Sequence, residues 1–426
     1  MPLVLAIIFG ILLCMGLPIA FVLGITALIM IALFSPVPLL MLPEVMYNSL
    51  DSFPLIAIPF FVIAAQFMVK GGASKYLIYA ANCYVRHLWG GLAIVAVISC
   101  MFFAAICGSS VATALAIGVI TVPAMVQNGY SRSFATGVVA ASGTMGILIP
   151  PSVPLVLYGI IAEESIPRLF LAGVIPGLLE GGLFIAWISW NSRRKGWGGA
   201  PRATWNEIFQ TTIKATPAFS MPIIILGGIY SGIVTVTEAA ALGAVVSIII
   251  SLFIYRQIKV REIIPIIAES MKPAGMIMFI ISTAILFGNW ITEAGIPTRL
   301  VNLCVQLNLT PIMFLIFINL LLLIMGCFLE VASIMLITLP IILPVLKHLG
   351  IDLVHFGIIM TVNMEMALIT PPVGLNLFVI SGATKTPLSE VIRGAFPFVI
   401  LGFIEIAIVT YCPQFSLFLP NLIMPR

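Results

Sequence analysis

Charge is what this sequence has least of. Of its 426 residues only 8% are Asp, Glu, Lys or Arg while 62% are apolar, and mean hydropathy is +1.23. Such a chain cannot cover a soluble fold with solvated side chains, so it reads as an integral membrane protein. The alternating polar and apolar residues of an outer-membrane barrel are missing, whereas apolar runs of helical length recur from end to end. The longest hydrophilic stretch, near Asn191 to Thr216, has about two dozen residues, too few for an ATPase or a catalytic domain. Histidine is scarce: His87, His348 and His355 fall at expected interfaces, and none stands in a span beside a serine or carboxylate, which argues against an intramembrane hydrolase or metal enzyme. The seven cysteines show no CxxC spacing and read as small buried hydrophobes, without disulfide or metal. The opening MPLVLAIIFG lacks a basic n-region and a small-residue cleavage site, so it is expected as a retained span.

What is present is a polytopic all-α pattern. Helices are expected near 3–15, 18–34 and 54–70, then an amphipathic segment 73–88, an apolar pair 90–106 and 109–127, an interrupted span 132–162 and a span 168–191. The series returns as 217–231, 235–255 and 273–291, an amphipathic 296–308, a pair 310–327 and 331–347, an interrupted span 357–382 and a span 395–415. If each apolar pair is a re-entrant hairpin and the N-terminus is periplasmic, 15 of the 19 basic residues lie in the cytoplasm, the Arg193-Arg194-Lys195 run among them. Arg168, Arg299, Lys347 and Arg426 stay outside with Glu44, Asp51, Glu163, Glu164, Glu293 and Asp352, as the positive-inside rule requires, and both termini are then periplasmic.

Sliding the chain 221 residues along itself pairs Pro123 with Pro344, Gly129 with Gly350, Pro150 with Pro371, Pro151 with Pro372, Gly173 with Gly394, Pro176 with Pro397 and Gly181 with Gly402, without a gap. These residues dictate backbone path, so the halves share a fold. Each half makes five crossings, an odd number, which inverts the second relative to the first: repeat one over 1–191, a cytoplasmic linker over 192–216 and repeat two over 217–426.

Both interrupted spans break at paired prolines, in GTMGILIPPSVPLVLYG (143–159) and MEMALITPPVGLNLFVI (364–380). A broken helix in hydrocarbon leaves backbone groups unpaired unless a polar cavity or ligand meets them. The prolines suit the first turn of a new half-helix, whose positive end can face an anion, and the carbonyls upstream suit a cation. Hairpin tips add oxygen ligands: Gly108, Ser109, Ser110 and Thr113 in the first, Glu330 and Ser333 in the second. Opposite them stand Ser142, Gly143 and Thr144, matched by Asn363 and Glu365, with Thr370 beside Pro371 and Pro372. Of the five acids within apolar segments, Glu330 and Glu365 are favoured because they fall at breaks. Glu180 and Glu405 suit a helix interface or a partner subunit, and Glu238 begins a span.

The stretches CGSSVATALAIG, PAMVQNGYSRSFATGVVAASGTMGILIPPSVPLVLYG, LFLAGVIPG, TVTEAAALG and HFGIIMTVNMEMALITPPVGLNLFVISG resemble the large membrane subunit of tripartite ATP-independent periplasmic (TRAP) transporters, the DctM type, over residues 3 to 415. Thr113 stands where many members carry an acidic residue. The resemblance implies an elevator-type secondary transporter of a bacterial inner membrane that imports organic acids on a Na⁺ gradient. It implies two partners, a small four-helix membrane subunit and a periplasmic substrate-binding protein, with no cofactor beyond the coupling ion and no nucleic acid. Na⁺ ligands would map to Ser109, Ser110 and Ser142 in one half and to Ser333 and Asn363 in the other. A proton-coupled or binding-protein-independent carrier, using Glu330 or Glu365, is the alternative.

Overall fold

The computed structural model describes residues 2–425, so Arg426, expected outside the membrane, lies beyond the described residues. It holds twenty α-helices, with no strand among the described residues. In the first half these are α1 (Pro2–Cys14), α2 (Ile19–Phe34), α3 (Leu42–Leu50), α4 (Ala57–Lys70), α5 (Ala73–Val85), α6 (Gly91–Cys107), α7 (Ser110–Gln127), α8 (Arg132–Ser142), α9 (Val153–Ala162) and α10 (Ile166–Lys195). The second half comprises α11 (Trp205–Tyr230), α12 (Val236–Ile249), α13 (Ile263–Glu293), α14 (Ile296–Gln306), α15 (Pro311–Gly326), α16 (Val331–His348), α17 (Leu353–Ile369), α18 (Leu375–Thr384), α19 (Leu388–Tyr411) and α20 (Gln414–Ile423). Among the described residues eight helical segments are long and apolar enough to cross a membrane.

Local rules explain the boundaries. Ser131, Ser152, Ser165 and Thr310 cap α8, α9, α10 and α15 with side-chain oxygens that accept from the backbone N–H three residues on, satisfying donors that a helix start otherwise leaves unpaired. Thr204 with Glu207 and Thr235 with Glu238 form capping boxes that start α11 and α12. Glu238 is thereby explained as a cap. The first of these boxes also shortens the expected linker: of 192–216 only 196–204 is free of helix. That strand of chain is tied over the start of the first apolar pair, with Gly90 donating to the Trp197 carbonyl at 3.1 Å and Ala200 to the Arg86 carbonyl at 2.8 Å.

The two halves interleave. Helix α2 packs on α13 and α12 on α4, so each half's second span lies against the other half's third. Likewise α9 packs on α16 and α18 on α7: each short helix after a Pro-Pro pair leans on the second arm of the other half's hairpin. Helices α8 and α19 cross with backbones in contact, because Gly137 and Gly394 face one another and Ser133 Oγ donates to the Glu390 carbonyl at 2.7 Å. Phe184 and Trp187 from α10 meet Phe398 from α19 edge-on at 5.0 Å and close the core beneath them. Two helices had no counterpart in the expected spans. Short α3 precedes the third span, and α20 folds back on α10, where Arg168 donates to the Met424 carbonyl and to Asn421 Oδ1.

Candidate functional site

The first hairpin, α6 and α7, turns at Cys107-Gly108-Ser109, and the second, α15 and α16, at Cys327-Phe328-Leu329-Glu330. The second arms have 18 residues each and start 221 residues apart. Both tips dock on a Pro-Pro loop through a backbone hydrogen bond, although the bonded residues are not the ones that the 221-residue shift relates. Val153 N–H donates to the Gly108 carbonyl at 3.4 Å, and Val373 N–H donates to the Cys327 carbonyl at 3.3 Å. Backbone groups freed by each break are thus met by the hairpin beside it. Gly108 has φ +60°, and a Cβ there would lie 2.7 Å from the Pro151 carbonyl oxygen, so only glycine allows this approach. The peptides Pro150-Pro151 and Pro371-Pro372 are both cis.

Between the tips lies a cavity of about 380 Å³. The first tip lines it with Gly108, Ser109 and Ser110, the second with Glu330, Val331 and Ala332. Val153 and Pro154 of α9 and Leu375 of α18 close it, and Gln66 of α4 faces it from the side. Four helix N-termini, those of α7, α9, α16 and α18, therefore border one space. Each presents the positive end of a dipole, although in α9 the first-turn donors are already taken, Val153 N–H by the Gly108 carbonyl and Leu155 N–H by Ser152 Oγ; the set suits an anion of organic-acid size.

The two breaks differ from expectation in detail. The prolines do not occupy the first turn of the half-helices; they form the loop before it, and α9 and α18 begin at Val153 and Leu375, behind the N-caps Ser152 and Gly374. In the first half the chain leaves α-helix at Ser142, tightens over Gly143–Ile147 and turns, with Ser152 Oγ donating to the Ile147 carbonyl. In the second half α17 runs unbroken to Ile369, so Asn363 and Glu365 sit inside a helix and not at a break. The reason is local: Gly143 and Gly146 correspond to Met364 and Ala367, and helix formers keep the second half wound.

The predicted oxygen ligands divide accordingly. Ser109 and Ser110 are at the cavity, and Ser110 Oγ accepts at 2.7 Å from Asn376 Nδ2, which also donates to the Ala140 carbonyl at 3.0 Å. Asn376 joins the halves at the first tip, and sequence reasoning passed it over. Its signal was a lone amide in the first turn of an apolar half-helix, where the repeat partner is Leu155. Ser142 Oγ donates to its own helix at Val138 O, and Thr370 Oγ1 to Met366 O. Ser333 is fully buried and its hydroxyl has no partner. Asn363 Nδ2 donates to Asn319 Oδ1 at 2.9 Å, and Asn319 in turn to Thr410, while Asn363 Oδ1 is left without a donor, as is Asn376 Oδ1. Thr144 and Glu365 turn elsewhere: Thr144 Oγ1 donates to Glu180 Oε1 at 3.0 Å, and Glu180, Glu365 and Glu405 cluster together. Glu330 alone of the predicted acids borders the cavity.

A family model described as the tripartite ATP-independent periplasmic transporter, DctM component, matches residues 6–415. The chain belongs to this family. It is a transport family and not an enzyme family, and the chain is a multi-pass membrane protein of it. Among relatives, the C4-dicarboxylate TRAP transporter large permease protein DctM of Pseudomonas aeruginosa is 45% identical over 94% of this chain and 93% of its own length. The isethionate TRAP transporter permease protein DctMQ of Oleidesulfovibrio alaskensis is 41% identical over 96% of this chain, which spans 65% of that longer protein. Among solved structures, the YdaH transporter of Alcanivorax borkumensis has a TM-score of 0.61 at 12% identity, covering 88% of each chain, and shows a shared fold.

Proposed function

We propose that this DctM-family chain is the large permease of an importer for small organic acid anions, driven by Na⁺, with four-carbon dicarboxylates as its substrate class. The observation that carries the proposal is the convergence of both hairpin tips and four helix N-termini on one cavity of about 380 Å³. A substrate carboxylate is stabilised there by backbone N–H groups and helix dipoles without any Lys or Arg in the lining, and Glu330 is, among the described residues, the one carboxyl side chain that borders the site. The cation is held at the first tip by Asn376 Oδ1, which lacks a donor, with the Ser109 and Ser110 oxygens, and in the second half by Ser333 Oγ and Asn363 Oδ1, which lack donors too. Two oxygen-lined cation sites flanking an anion site couple the gradients, because each charge lowers the electrostatic cost of the other.

In this reading the hairpins are re-entrant, the repeats are inverted, and α6–α10 with α15–α19 move as one body against α1–α5 and α11–α14. The interleaved packing of the halves supports it. A small membrane subunit and a substrate-binding protein complete the transporter, as the length of the relative named DctMQ and the name of the family suggest. A proton-coupled carrier is the second reading, favoured by the Glu330 carboxylate at the cavity. Uptake of labelled succinate into vesicles containing the complete system distinguishes them. Accumulation under an imposed Na⁺ gradient at equal pH supports Na⁺ coupling, and accumulation under a pH gradient without Na⁺ would replace it with the second reading.

A further inference from the structure

Three intramembrane acids that the cavity does not use meet behind it. Glu180 of α10, Glu365 of α17 and Glu405 of α19 each offer a carboxylate oxygen within 4.8 Å of the others. Their exposures are 3%, 2% and 1%, and none of them lines the cavity. Glu365 stands at the position that the 221-residue shift relates to Thr144, whose hydroxyl donates to Glu180 Oε1. The cluster thus forms where corresponding stretches of the two halves both reach α10. Beyond the Thr144 hydroxyl and the contact between the Glu180 and Glu365 carboxyls, donors to it are missing among the described residues. Glu365 is almost wholly buried and neither of its oxygens has a hydrogen-bond donor outside the cluster; Glu180 Oε2 and Glu405 Oε1 have none either. Among the described residues the only buried Lys or Arg is Arg168, and it is engaged by Met424 and Asn421.

Three carboxylates away from water cannot all carry uncompensated charge. An all-oxygen set of this spacing fits a hard cation, since oxygens that ligate one ion at about 2.3–2.6 Å lie within about 5 Å of one another. We propose that Glu180, Glu365 and Glu405 bind one hard cation at a site separate from the hairpin tips, a Ca²⁺ balanced by two carboxylates or a Na⁺ balanced by one, the remaining carboxyls being protonated and ligating through their carbonyl oxygens, with Thr144 orienting Glu180. The ion clamps α10, α17 and α19 to the segment 143–147. This does not depend on which ion drives transport.

The test counts bound ions. The purified full chain in detergent, stripped with chelator, is equilibrated with labelled Ca²⁺ or labelled Na⁺, and bound ions per chain are measured for the wild type, Glu365→Gln, Thr144→Ala and the double variant Ser109→Ala, Ser110→Ala. Glu365→Gln is expected to bind one ion fewer of one isotope, and Thr144→Ala to bind that ion about 10- to 100-fold more weakly. The isotope that responds identifies the ion. Equal counts in wild type and Glu365→Gln would overturn the proposal and assign the cluster to protonated carboxyls. If the serine variant loses an ion and Glu365→Gln does not, the hairpin-tip reading stands and this one falls. Should Glu365→Gln fail to fold, Glu405→Gln takes its place beside Thr144→Ala.

Discussion

Replacing Gly108 by alanine tests the docking of hairpin on Pro-Pro loop more directly than removing any ligand. Its φ of +60° costs an L-residue about 1–2 kcal/mol, which alone lowers the population of the correct tip by roughly 5- to 30-fold. The added Cβ would also stand 2.7 Å from the Pro151 carbonyl oxygen, a backbone atom that cannot swing aside, so the tip must lift and the Val153 N–H bond to Gly108 opens. Gly129 supplies the control: its φ is +84°, yet nothing lies within 4 Å of a Cβ there. Gly129→Ala bears only the conformational term. Initial rates of labelled succinate uptake are measured in cells carrying the complete transporter, normalised to permease in the membrane fraction. Gly108→Ala is expected to fall by more than about 30-fold, beyond the conformational term, and Gly129→Ala by no more than the roughly 5- to 30-fold that this term alone allows. Equal rates for the two variants at equal membrane amounts would refute the argument that the tip must touch the loop.

Three more outcomes follow from the same geometry. Replacing Pro150-Pro151 or Pro371-Pro372 by Ala-Ala favours continued helix across the break and withdraws the loop from its hairpin, so uptake is lost while membrane insertion, read by immunoblot, persists; normal uptake by both variants would make the breaks mere packing. Asn376→Leu leaves the Ser110 hydroxyl and the Ala140 carbonyl without their shared donor, a cost of about 1–3 kcal/mol, and raises the Na⁺ concentration for half-maximal uptake about tenfold; an unchanged Na⁺ dependence would remove Asn376 from the ion site. Gly394→Leu drives a side chain into the Ser133 carbonyl where α8 and α19 cross, so the permease fails to accumulate, whereas Gly382→Ala, with open space around it, accumulates normally.

The path of the backbone was legible because it rests on glycine, proline and caps. Expected hairpin arms 109–127 and 331–347 became α7 and α16 within a residue, and the 221-residue shift holds from Gly129 and Gly350, both with positive φ, to the paired prolines. What composition cannot show is how helices meet. Glu180, Glu365 and Glu405 belong to three helices far apart in sequence, and only the crossing of α10, α17 and α19 brings them together. Glu365 was read at a break because its repeat partner Thr144 is at one, but a repeat transfers chain path only where the residues that set it are also repeated, and Gly143 and Gly146 are not. Asn376 escaped notice because no pattern marks it; its role appears only when α18 lies on α7. Helix α20 was missed since the apolar run of α19 leads into it with only Cys412 and Pro413 between.

The differences between the halves say more about transport than their likeness. Equivalent backbone makes the cavity, since a hairpin and a half-helix must each be present twice for four N-termini to converge. A site built with equal side chains, however, would offer identical charge from both halves and so would bind its anion in two opposed orientations with equal free energy. At three related positions the side chains part: Ser109 against Glu330, Thr144 against Glu365, and Leu155 against Asn376. The carboxylate of Glu330 repels an anion from the second tip, while the Asn376 amide and the serines of the first tip remain neutral. Under the proposed function, a substrate with one strongly acidic end is expected to bind with that end toward the first tip. Removing the charge with Glu330→Gln is expected to relax the choice between monocarboxylate and dicarboxylate competitors of succinate uptake, and unaltered competition would show that the asymmetry serves the ion and not the substrate.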